Sequence, residues 1–188
     1  MTVVSPRPQA SRRARWRRLR RIVIPLLVVC AVFCAVTARL FIWPATGMPA
    51  QVNAIVVPAG SGDRLGTALK LAREGRAQYL AISFGLFIDP GVCGTRVGTA
   101  RVICFQPSPD TTQGEAQETA VLAKRYGWRS IVLVTTPDQI WRAELRFRRC
   151  FDGNVYGVTT SLPFLRWPYE IAYQWAATVK AEFVNRSC

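Results

Sequence analysis

Seventeen consecutive uncharged residues, IVIPLLVVCAVFCAVTA at 22–38, dominate the first quarter of the chain. Arg39 interrupts the run, and Leu40, Phe41, Ile42 and Trp43 resume it. As a helix, residues 22–43 would measure roughly 33 Å, enough to cross a hydrocarbon core. Arg39 sits near one end, where its stem can snorkel to the headgroups, and Trp43 suits the interface. Pro25 falls in the first turn of a helix starting at 22, where a missing N–H costs little.

After a Pro- and Gly-containing linker (44–51, PATGMPAQ) the pattern changes to short β-branched runs alternating with amphipathic stretches. Strands are predicted at 53–58, 79–83, 101–105, 130–135 and 154–159. Helices are predicted from Asp63 to a Gly75 cap, from the 107–112 turn to Gly127, over 137–150 and over 167–184. The last carries Ile171, Trp175 and Val179 on one face. Residues 86–100 read as an irregular loop. Strand–helix alternation with doubly apolar strands predicts an α/β domain, Rossmann-like, with a mainly parallel sheet and helices on both faces. The domain is expected over 52–188. Ligands in such folds bind outside the carboxyl ends of the strands. That rule selects 59–64, 83–85, 108–115 and 135–142.

Charge adds a topology. The formal net charge is +14, but residues 1–21 hold eight arginines and no acid. Removing them leaves 17 basic and 11 acidic side chains, a balance of +6. A basic flank stays cytoplasmic, so 44–188 should be exported behind a single-pass cell-membrane anchor. Val36-Thr37-Ala38 resembles a signal-peptide cleavage site, yet the apolar run is long for a signal sequence and favours an uncleaved anchor. The same basic tail is better explained by orientation than by nucleic acid, which is not expected as a partner.

Six cysteines fit this compartment. Cys30 and Cys34 lie within the apolar run as filler. Cys93 and Cys104 flank a short segment containing Gly94 and Gly98, which suits a local staple, and Cys150 then remains to pair with Cys188. The competing state is four free thiols, less suited to an oxidising compartment.

The chain has no histidine. That excludes Ser-His-Asp and Cys-His nucleophile pairs and His-ligated metal sites. No CxxC is present, and neither a metal nor a cofactor is expected. Gly60-Ser61-Gly62-Asp63-Arg64 forms a strand-to-helix turn whose small residues can admit an anion to a helix start. It lacks the dinucleotide GxGxxG and the Walker lysine, and its plain structural role is a tight turn capped by Asp63. Ser83 and Gly85 end the second strand. Thr111-Thr112 with Glu115 has the pattern of a capping box on Thr112. Thr135-Thr136 ends the fourth strand, and Gln139 and Arg142 follow. An arginine there can fork onto a phosphate or carboxylate. Asp63 and Glu115 are the acids near enough to serve as a base.

Three blocks stand in order behind the anchor: AIVVPAGSGDRLGTALKLAREGRAQYLAIS, PSPDTTQGEA and SIVLVTTPDQIWRAELRFRRCF. Together they resemble the YdcF-like family of SanA/ElyC-type envelope domains. The resemblance covers about residues 52–185. It implies a Rossmann-like fold and a role in envelope biogenesis or barrier maintenance. The implied ligand is a phosphate-bearing lipid or cell-wall precursor on the way to peptidoglycan. The matching positions are Asp63, Arg64, Ser108, Thr111, Thr112, Glu115, Ala116, Thr135, Thr136, Arg142 and Ala143. Asn53 stands where the family has a strand-leading Asp, and Gln139 where it has His. Gln hydrogen-bonds but does not titrate, so the expectation is ligand binding ahead of catalysis. The alternatives are a hydrolase or transferase acting on polyprenyl phosphates, and a non-catalytic module docking envelope-assembly proteins.

Overall fold

The structure is a computed structural model and describes residues 9–84 and 90–188. The chain divides into two compact units, one ending at Ala38 and one running from Arg39 to Cys188.

The first unit holds helix α1, Gln9–Thr37, and the π-helical turn that follows, Ala38–Ile42, lies in the second from Arg39 onward. The stretch Leu19–Ile42 is long and apolar enough to cross a membrane. Because α1 begins at Gln9, Pro25 lies in its interior and not in its first turn, as expected above. It therefore removes one helical hydrogen bond.

The second unit is a mixed α/β domain around a six-stranded sheet ordered β3-β4-β2-β1-β5-β6. The strands are β1 Val52–Val57, β2 Ala77–Ser83, β3 Arg96–Val97, β4 Ala100–Phe105, β5 Ser130–Thr135 and β6 Asn154–Thr159. All neighbours are parallel except β3 and β4. The helices are α2 Arg64–Arg73, α3 Thr112–Tyr126, α4 Pro137–Cys150 and α5 Trp167–Val179. Strand β3 and a 3-10 turn at Pro90–Val92 occupy part of the expected 86–100 loop. Two residues are too few for a periodic signal.

β1 shows why the sheet is covered on both faces. Ala54 and Val56 join the core under α3 and α4, while Ile55 and Val57 join the core under α2. The run AIVV has no polar side because it has no wet side. The chain leaves β1 towards β2 and β4, then returns through α3 to β5 on the other flank of β1. The direction of winding thus reverses between β1 and β5, and a crevice opens beyond their carboxyl ends.

The stretch expected to be a linker is partly ordered onto the domain. Gly47 bridges Gly157, N to O 2.8 Å, and the Pro49 carbonyl accepts from Arg76. Both disulfides form as paired above, Cys93–Cys104 and Cys150–Cys188. The second ties the end of α4 to the segment after α5.

Asn53 is at the amino end of β1, away from the crevice. Its carboxamide oxygen accepts from Arg129 N, Ser130 N and Ser130 Oγ at 2.9–3.0 Å. Asn53 therefore pins β1 to β5 at the end of the sheet opposite the crevice.

Candidate functional site

A cleft of about 470 Å³ opens outside the carboxyl end of β1. Its floor is Ala59 and Gly60, its near wall the start of α3, and its far wall α4, α5 and the segment after it. Of the residues expected from sequence, Gly60, Thr111, Thr112, Glu115, Gln139 and Arg142 line it. Ser61, Gly62, Asp63, Arg64, Ser83, Thr135 and Thr136 do not. Gly85 lies outside the described residues.

The start of α3 differs from a capping box. Thr111 is the cap, accepting from Gly114 N at 3.2 Å. Glu115 does not reach back to it. Its Oε1 accepts from Ala59 N at 2.6 Å, joining α3 to the turn after β1. The Thr112 hydroxyl, freed from capping, accepts from Arg142 Nη1 at 3.0 Å. Gly114 lets the Pro109 carbonyl pack against the start of α3, because a Cβ there would run into it. That obstacle is backbone and cannot swing away. Gly114→Ala should therefore lower stability by about 2–3 kcal/mol, read as a drop in thermal midpoint. An unchanged midpoint would show that the turn yields freely.

Arg142 is held through two of its three guanidinium nitrogens. Nε donates to Gln174 Oε1 at 2.8 Å, and Gln174 Nε2 donates on to Asp138 Oδ2 at 3.0 Å. Asp138 and Gln174 are fully buried and Arg142 is 9 % exposed. Burial lowers the Arg142 pKa, opposed by Tyr173 and by the charges of Asp138, Glu115 and Glu170. It remains a cation at neutral pH. Its Nη2 has no protein partner among the described residues and belongs to a cleft-lining side chain.

Arg64 has a different place from the one expected. It is fully buried beneath the turn. Nε donates to Ser61 O at 2.7 Å, and Nη1 to Pro58 O at 3.1 Å and Ala59 O at 2.7 Å. Gly60, at φ +140°, is packed directly on its guanidinium. Arg64 thus shapes the cleft floor and does not present its charge to a ligand. Desolvation pulls its pKa down to about 10, against the opposing pull of Glu115 and Asp138. Asp63 caps α2 by accepting from Gly66 N at 3.0 Å.

The cleft carries Arg142, Arg146 and Lys180 against Asp110 and Glu115. Burial pushes the Glu115 carboxyl up, opposed by the Ala59 N–H, the Ser83 hydroxyl and Arg64. Its folded state favours the proton, so Glu115 stabilises most when protonated. That contribution is present below the ordinary carboxyl range and is lost as pH rises through the raised value. Glu170 and Glu144 shift the same way, also by burial. Thermal stability should fall across that window, and Glu115→Gln should flatten the slope. Midpoints measured against pH check this, and identical slopes would refute it.

Asp138, Glu170 and Gln174 escaped the sequence reading. The available signal was the spacing of Glu170, Gln174 and Thr178, a polar stripe in an otherwise apolar helix. Among the described residues no group of His, Cys, Asp and Glu could hold a metal ion. No protein-family model, curated protein or solved structure matches the chain.

Proposed function

We propose that this chain is a membrane-anchored cell-envelope protein of the YdcF-like type. Its exported Rossmann-like domain binds an anionic, phosphate-bearing head group, best suited to a lipid-linked cell-wall precursor. The observation that carries the reading is the convergence of the α3 start with the Arg142 guanidinium. The helix brings unpaired backbone N–H groups and a positive dipole end. Arg142 brings a preorganised donor whose Nη2 is left unpaired. Arg146 and Lys180 extend the positive wall. Burial disfavours the charged form of the Glu115 carboxyl, which lessens its repulsion of an anion in the cleft. The apolar span and the two disulfides support an anchored, exported domain.

The full chain in nanodiscs should bind polyprenyl phosphate and leave the matching polyprenol unbound, with inorganic phosphate competing. Equal binding of phosphate and alcohol would sink the reading. A second reading, hydrolysis or transfer at the same phosphate, draws support from Glu115 alone, a buried carboxyl facing the cleft. It requires phosphate release from the bound lipid, abolished in Glu115→Gln.

A further inference from the structure

Helix α5 has its faces exchanged. The side it turns to the protein is polar: Glu170 and Thr178 are each 6 % exposed and Gln174 fully buried. The side it turns outward is apolar. Tyr169 and Tyr173 stack there, centroids 6.2 Å apart, and Val179 further along the helix is half-exposed. The turn leading in shows Phe164 and Leu165 at 85 % and 92 % exposure, and the turn leading out shows Phe183 and Val184. The sequence predicted Ile171, Trp175 and Val179 on one face. These three share a face at helical spacing, with Ile171 and Trp175 partly buried and Val179 half-exposed. A polar inner face is accounted for by the Asp138–Gln174–Arg142 chain. The apolar outer face has no such account within the domain, and an exposed stripe of this size marks a contact surface.

Position selects the occupant. Phe41 lies in the last turn of the apolar stretch Leu19–Ile42 and belongs to the same compact unit as α5. It is fully buried, with its ring edge-on to Trp175 at 5.3 Å and 87°. The point where the apolar stretch ends is therefore fixed against the middle of α5. Trp43, two residues on, is 72 % exposed. Arg166 and Lys180 lie at the two ends of α5 and are exposed, and Arg186 stands over the Phe183 ring. Aromatic and aliphatic side chains flanked by cations suit the headgroup layer of an anionic bilayer.

We propose that α5 and its flanking turns rest on the lipid surface. The apolar stripe would be sunk among the headgroups. The inference rests on reading Leu19–Ile42 as a membrane span. Tyr173, Ala177 and Lys180 of this segment also line the cleft. A lipid-linked phosphate thus reaches Arg142 with its tail still in the bilayer.

The test uses the full chain in phosphatidylethanolamine–phosphatidylglycerol vesicles, with p-benzoylphenylalanine at position 165 or, as control, at position 124. Lys124 is exposed towards the far end of α3 from the cleft. Irradiation should attach lipid at 165 at least about tenfold more than at 124. Equal attachment overturns the inference. So does a covalent dimer without lipid adducts, which would assign the face to a second copy. Release of the chain by alkaline carbonate would bring down the span reading and this inference together. The adducts need no ligand, so they stand or fall independently of phosphate binding. The double variant F164S/L165S, at two exposed positions, should bind inorganic phosphate as before but polyprenyl phosphate in vesicles severalfold more weakly. Unchanged polyprenyl phosphate binding overturns the feeding route.

Discussion

Arg64→Leu should cost about 3–5 kcal/mol of folding stability, a large share of the roughly 5–15 kcal/mol a domain possesses. Replacing a buried ion pair with apolar side chains is often harmless, because both polar partners leave together. That escape is closed here. The partners of Arg64 are the carbonyls of Pro58, Ala59 and Ser61, which no side-chain substitution removes. Leucine would leave the buried Pro58 carbonyl and the half-buried carbonyls of Ala59 and Ser61 without this donor, and Glu115 and Asp138 would lose a nearby positive charge. Arg64→Lys keeps the charge but not the fork, since one ammonium cannot span three carbonyls in the guanidinium's geometry. Its loss should be intermediate. Thermal unfolding of the full chain in detergent, followed by near-ultraviolet dichroism, checks the order wild type, Lys, Leu. A Leu variant within about 1 kcal/mol of wild type would show the turn to be self-supporting.

The same residue shows where sequence reading succeeds and stops. The spans of β5, α4 and β6 follow from periodicity and punctuation, because SIVLVT, the Pro137 start and NVYGVT are local signals. The role of Arg64 is not local. A strand-to-helix turn with glycines and an arginine fits an anion cradle, and it fits equally a turn folded around its own guanidinium. The choice depends on Gly60 at φ +140° and on carbonyls that point inward. Glu115 makes the same point. Its spacing from Thr112 fits a capping box, but a backbone N–H 56 residues away, at Ala59, takes its oxygen. The two stripes of α5 compete on equal terms in sequence. The polar stripe is buried only because Asp138 and Arg142, on another helix, supply partners for Gln174. Tertiary partners decided each of these cases, and none leaves a trace at short range.

Those partners also give Arg142 the second large expected effect. Arg142→Ala should weaken polyprenyl phosphate binding by about 30- to 100-fold, or ~2–3 kcal/mol, the range of a charge-assisted hydrogen bond lost from a desolvated site. Nε and Nη1 are already committed to Gln174 and Thr112, so the side chain arrives oriented and little rotamer entropy remains to be lost on binding. Arg142→Lys should recover only part of the affinity, because it restores charge without planarity. Gln174→Leu separates orientation from charge. It keeps the guanidinium but removes the acceptor at Nε, so binding should weaken while its salt dependence stays near that of wild type. The Ala variant should lose salt dependence as well as affinity. Each measurement needs the variant's dichroism to match wild type, since Arg142 also joins α3 to α4. Wild-type affinity in Arg142→Ala would place the anion elsewhere in the cleft, with Arg146 and Lys180 as the remaining cations able to hold it.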